Sequence, residues 1–171
     1  MSSSTVDRFL CIRSVAVLCL ALSMCAPLAA QTNQGAIDDL LTEANRVLAS
    51  GRPQEAISIL NKAIEQAPAH ADLYLVRARA RDSIGRYDAA IDDANEYIEL
   101  RPDDAYGYLS RARVYLSMEK REEALRDANK AIELAPDEPD GYYRRADVYY
   151  EMGREADAAA DEAKAEALAA R

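Results

Sequence analysis

A period of 34 residues constrains this chain more than any other feature. Shifting the sequence by 34 superimposes Pro68, Pro102 and Pro136; Ala56, Ala90, Ala124 and Ala158; Tyr74, Tyr108 and Tyr142; and Ile64, Ile98 and Ile132. Gly51, Gly85 and Gly153 follow the same step, with Glu119 standing where the remaining glycine would be. Each period holds two amphipathic segments, which predicts helix-turn-helix units over 37–70, 71–104, 105–138 and 139–171. One such unit has too little apolar surface to fold alone, so the core must form by stacking neighbours.

Within the third unit the pattern is Tyr108-x2-Arg111-Ala112-x2-Tyr115, then Ala124-x3-Ala128, then Pro136. This resembles the tetratricopeptide repeat, and the resemblance covers residues 37–171. It implies an all-α, right-handed superhelical solenoid of eight helices in antiparallel pairs, and a protein-binding scaffold with no cofactor rather than an enzyme. Helices are predicted near 37–50, 54–67, 71–84, 87–100, 105–118, 121–134, 139–152 and 155–169. Gly51 suits the left-handed end of a helix, Pro53 and Pro139 suit first helical turns, and Asp104 with Asp137 or Glu138 supplies carboxylates to helix N-termini. With one Phe and no Trp, the core must be built from Ala, Leu, Ile and Tyr.

Residues 1–30 differ in kind. Arg8 and Arg13 precede the apolar run SVAVLCLALSMCAPLAA, which reads as a secretory signal peptide cleaved after Ala30, followed by a polar linker over 31–36. Export to the periplasm or the exterior is the expectation, with an uncleaved inner-membrane anchor as the alternative. The membrane enters only if the leader is retained. Cys25 follows Met24 and Cys19 follows Leu18, which disfavours lipidation. All three cysteines fall in the leader, so the mature chain needs no disulfide. Net charge is −9 before processing, a poor match for phosphate backbones and a better one for basic segments of other proteins. No nucleic acid partner is expected.

Numbering each unit from 1, positions 4, 8 and 11 form a buried stripe on the first helix: Tyr74, Ala78 and Arg81; Tyr108, Ala112 and Tyr115; Tyr142, Ala146 and Tyr149. Positions 20, 24, 27 and 28 do so on the second helix, as in Ala90, Ala94, Tyr97 and Ile98. Small residues at 8 and 20 let helix axes approach. Position 7 is Arg77, Arg111 and Arg145, and position 23 is Asp93, Asp127 and Asp161; the first unit has Glu43 and Ile59 instead. Both members vanish together, which predicts structural pairs across each helix pair, since the guanidinium fork fits a carboxylate.

Little chemistry is hidden elsewhere. His70, the sole histidine, lies in a turn without a second histidine or a mature cysteine, so no zinc site is expected. Adjacent carboxylates such as Asp92 and Asp93 diverge by about 100° on a helix. Residues 137–140 lack the alternating ligand loop that calcium needs. Hydrolase, phosphate-loop and dinucleotide motifs are absent.

What remains is the opposite face of each first helix, positions 2, 5, 9 and 12, which by resemblance lines a concave peptide-binding groove. Position 5 reads Leu41, Leu75, Leu109 and Tyr143; position 9 reads Asn45, Arg79, Arg113 and Asp147; position 12 reads Leu48, Asp82, Leu116 and Tyr150. The candidate site is Asn45, Leu75, Arg79, Leu109, Arg113, Tyr143, Asp147 and Tyr150. A subset of the family clamps a chaperone's C-terminal carboxylate; Asn45 and Arg144 match that pattern, but Leu41, Asp72, Tyr106 and Asp140 depart from it. The expected function is a monomeric periplasmic module holding a peptide segment or helix of a partner, with a structural or membrane-tethered scaffold of an envelope complex as the alternative. The chain ends at Arg171 without a further helix, and Glu162 and Glu166 replace the Leu or Ala and Ile of the earlier units, so the last helix is expected to act as its own cap.

Overall fold

The computed structural model describes residues 34–170; the leader expected over 1–30 lies outside them. The chain divides into two units, 1–39 and 40–171. In the first, residues 34–39 are helical, so the helix begins before the expected residue 37 and takes in part of the expected linker. Apart from the start of that helix, everything below concerns the second unit.

The helices are α1 (34–49), α2 (Pro53–Gln66), α3 (Ala71–Asp82), α4 (Tyr87–Leu100), α5 (Ala105–Ser117), α6 (Arg121–Leu134), α7 (Pro139–Glu151) and α8 (Glu155–Ala169). No strand occurs among the described residues. α3, α5 and α7 stop one or two residues short of the predicted ends because each closes into a Schellman turn. At Gly85, for example, its own N–H donates to the Asp82 carbonyl at 2.9 Å and the Arg86 N–H to the Arg81 carbonyl at 2.9 Å. Gly51, Gly85 and Gly153 sit at φ 72–76°, and Glu119 adopts φ 58° in the same turn. Asp104 caps α5 by accepting from the Tyr106 N–H at 2.9 Å, whereas Glu138 makes no equivalent bond before α7.

α3 packs on α4, α5 on α6 and α7 on α8, and each pair joins the next through α4 with α5 and α6 with α7. α3 also touches α5, and α5 touches α7, whereas α4 and α6 do not meet. The first helices of the units therefore crowd together on the inner side of the stack, and the second helices spread on the outer side. This crowding explains why burial on the first helices is broader than one stripe. Position 10 (Ala80, Val114, Val148) and Leu73 at position 3 are buried as well. At Gly107 an added Cβ would lie 2.7 Å from both Ile98 Cγ1 and Tyr97 Cδ1, so the missing side chain is what lets α5 seat on α4.

The Arg and Asp rows form a ladder through the stack. Arg77 donates from Nε and Nη2 to Asp93 at 2.6–3.1 Å. Arg111 reaches both oxygens of Asp127 at 2.8 Å, and Arg145 those of Asp161 at 2.7 and 2.8 Å. Each arginine also spends Nη1 on the preceding unit: Arg77 on Asn61 at 2.7 Å, Arg111 on Asn95 at 2.7 Å and Arg145 on Asn129 at 2.8 Å. Each guanidinium lies 5.5–5.8 Å from the ring of Tyr74, Tyr108 or Tyr142 one turn earlier. The rung thus ties both helices of a unit to the helix before them. Asp93 is 1% exposed and takes a second cation, Arg81, at 2.8 Å; burial still pushes its carboxyl above the usual range. Bonds to Asp127 and Asp161 hold Arg111 and Arg145 above the ordinary arginine value.

Candidate functional site

On the inner face, α3, α5 and α7 enclose an open cavity of about 340 Å³. Leu75, Arg79, Leu109, Arg113, Tyr143 and Asp147 line it, so the period and the helical wheel bring six of the eight candidate residues to one place. Asn45 stands beside it: its side chain donates to the Leu41 carbonyl at 3.0 Å and accepts from Arg79 Nη2 at 3.4 Å. Tyr150 is placed differently. It does not line the cavity, and its hydroxyl donates to Glu162 on α8 at 2.9 Å, drawing the ring to the crossing of that helix pair. Leu75 and Leu109 are half-buried, because the first helices crowd one another on this side.

Four further residues line the cavity: Tyr106 and Asp140 at position 2, Ser110 and Arg144 at position 6. Position 2 is on the face expected to line the groove and Arg144 matches the clamp pattern, whereas Ser110 has no sign in the sequence; position 6 flanks position 9 only once α3, α5 and α7 lie side by side. Arg144 donates to Asp147 at 2.8 Å. Asp82, expected on the groove, lies 3.1 Å from Arg113 Nε, close enough for an ion pair but off the N–H direction. Burial pulls Arg113 below the ordinary arginine value, with Arg144 and Arg79 adding to the effect and Asp82 opposing it.

Tyr106, Leu109 and Asp140 also belong to an adjoining hollow of about 600 Å³, bounded by Arg101, Asp103, Asp104 and Glu138. Tyr106 is 56% exposed there. Asp140 and burial hold its hydroxyl above the usual phenol range. Tyr97 beneath this edge donates to Asp104 at 2.6 Å, and burial together with that bond pushes it up to about 12. Among the described residues no group of side chains is arranged to hold a metal, and no helix is long and apolar enough to cross a membrane.

A "Tetratricopeptide repeat" family model matches residues 41–105, and a "TPR repeat" model matches residues 112–153. Together they span more than half of the chain, which carries tetratricopeptide repeats and has the all-α fold of that family. Among solved structures it is similar to MamA at 26% identity and TM-score 0.65, covering 77% of each chain. It is similar to a thermophilic TPR protein of Thermus thermophilus at 20% identity and TM-score 0.72, covering 77% of this chain and 74% of that one. The first TPR of Spaghetti, bound to an HSP90 peptide, aligns at 22% identity and TM-score 0.62 over 68% of this chain and 93% of that one. No curated protein sequence matches.

Proposed function

We propose that this protein is a binding module that holds a peptide segment or helix of a partner protein in the inner groove formed by α3, α5 and α7. The observation that carries the reading is the convergence of Leu75, Leu109 and Tyr143 with Arg79, Arg113 and Asp147 on one open cavity. An apolar floor with charged walls is the composition of a surface meant to be covered. The peptide-bound Spaghetti domain, alike in fold, supports a protein ligand. The array comprises four units and acts as a monomer. Residues 1–30 direct its export, and the periplasm is the compartment in which it meets its partner. The chain's net charge of −9 steers partners with basic surroundings toward it.

A photo-crosslinking residue replacing Leu109 tests the groove in cells. It captures the partner, whereas the same group at Glu99, exposed on α4, does not. Capture from Glu99 alone moves the site to the outer surface.

A further inference from the structure

We infer that the hollow between the turn into α5 and the turn into α7 takes the side chain of a lysine or arginine carried by the bound segment. The inference rests on the groove reading above and adds what that groove selects at its edge.

This hollow, open and about 600 Å³, is larger than the inner cavity beside it. Pro102, Ala105, Leu109 and Ala135 give it an apolar lining, and the Tyr106 ring is exposed within it. Asp103, Asp104, Glu138 and Asp140 line the same space. A long basic side chain matches that mixture part by part. Its methylene stem covers apolar surface while its charged end reaches the carboxylates, and an aromatic face attracts the cation. The protein already holds one of its own cations this way at the edge of the hollow: the Arg101 guanidinium lies 5.6 Å from the Tyr97 ring and donates to Asp72 at 2.8 and 3.0 Å.

The negative charge is not answered from within. Arg101, the arginine that lines the hollow, is committed to Asp72. Lys130, which feels Asp103, is held by Glu133 at 2.9 Å. In the inner cavity Arg113 has Asp82 at 3.1 Å and Arg144 donates to Asp147, which leaves Arg79, and Arg79 does not line the hollow. Carboxylates ahead of a helix commonly serve the free N–H groups of its first turn. Asp104 does so for α5, whereas Glu138 makes no such bond at α7, and Asp103 and Glu138 form no ion pair among the described residues. Tyr106 registers the resulting field: Asp140 raises its hydroxyl above the usual phenol range, with burial, Glu138 and Asp104 adding to the effect. A field that disfavours a phenolate favours a guest cation. Tyr106, Leu109 and Asp140 line both the hollow and the inner cavity, so a segment lying in the groove reaches the hollow with one side chain.

The test is a peptide-display selection on the full chain, followed by fluorescence-polarisation titration of the best peptide. The selected peptides should share a Lys or Arg beside apolar residues. Replacing that residue by norleucine, which keeps a stem and removes the charge, should weaken binding at least about fivefold. Glu138→Gln with Asp140→Asn should do the same, and the two losses should not add when combined. Both residues are exposed, and the norleucine exchange leaves the protein untouched, so the result does not hang on a variant that fails to fold. Glu96→Gln with Glu99→Gln removes the same charge from exposed positions of α4 outside the hollow and should change nothing. Equal losses from the two pairs would assign the preference to net charge and overturn the subsite. A consensus without a basic residue would also overturn it, and loss of that binding on Leu75→Ala with Tyr143→Ala, which line the inner cavity alone, would leave the groove standing. Binders indifferent to both the inner pair and the hollow pair, or no binders at all, would overturn the subsite and the groove together.

Discussion

Arg77 and Arg79 stand two residues apart on α3, as Arg111 and Arg113 do on α5, yet they live in opposite surroundings. Two residues turn a helix by about 200°, so one arginine faces inward across the helix pair and the other faces the groove. Arg77 bonds Asp93 and Asn61 through all three of its nitrogens and lies over the Tyr74 ring. Arg79 is exposed and has one long bond, 3.4 Å, to Asn45. The difference teaches that the interior uses arginine as a fastener, while Arg79 on the inner face is left largely unengaged.

The largest effect should come from breaking a fastener. Arg111→Ala strands Asp127 and releases Asn95, and should cost about 3–5 kcal/mol in urea unfolding. Removing Asp127 as well should recover part of that loss, because an uncompensated buried carboxylate no longer remains; a double variant as unstable as the sum would contradict the pairing. Next comes the seating of the inner helices. Gly107→Ala places a methyl 2.7 Å from Tyr97 and Ile98, and should cost about 1–3 kcal/mol, since Tyr97 is 1% exposed and has nowhere to retreat.

How much of this the sequence discloses depends on whether a feature repeats within one unit or arises between units. The bounds of α4 and α6 are readable to the residue, because proline and the small-residue pattern frame them from within a unit. The Arg and Asp of each rung are readable because both disappear from the first unit together. Asn61, Asn95 and Asn129 obey the same 34-residue step, with Ala163 in the last unit. Their role escapes the sequence because each serves the following unit. Ser110 is opaque for a further reason: a buried hydroxyl without a partner is a property of its surroundings, and no residue letter records it.

Alkaline unfolding is a smaller effect. Tyr97 has its folded value raised to about 12 by burial and by its bond to Asp104, against about 10 when unfolded. Its contribution is therefore complete below about pH 10 and is lost as pH rises toward 12. The urea midpoint of the parent should fall more steeply over that window than that of Tyr97→Phe; parallel curves would exclude the hydroxyl. Smallest, and of opposite sign, is Glu119→Gly. Relieving a left-handed glutamate in an exposed turn should raise stability by about 0.5 kcal/mol, the cost of the Cβ outweighing the added freedom of the unfolded chain.

The division between the two arginine rows is tested most directly by urea unfolding of Arg77→Gln and Arg79→Gln side by side. Arg77→Gln should lose at least about 2 kcal/mol because it leaves Asp93 buried against a weaker partner, while Arg79→Gln should stay within about 0.5 kcal/mol of the parent. Equal losses would contradict the account, because the groove arginine would then be holding the fold as firmly as the fastener two residues away.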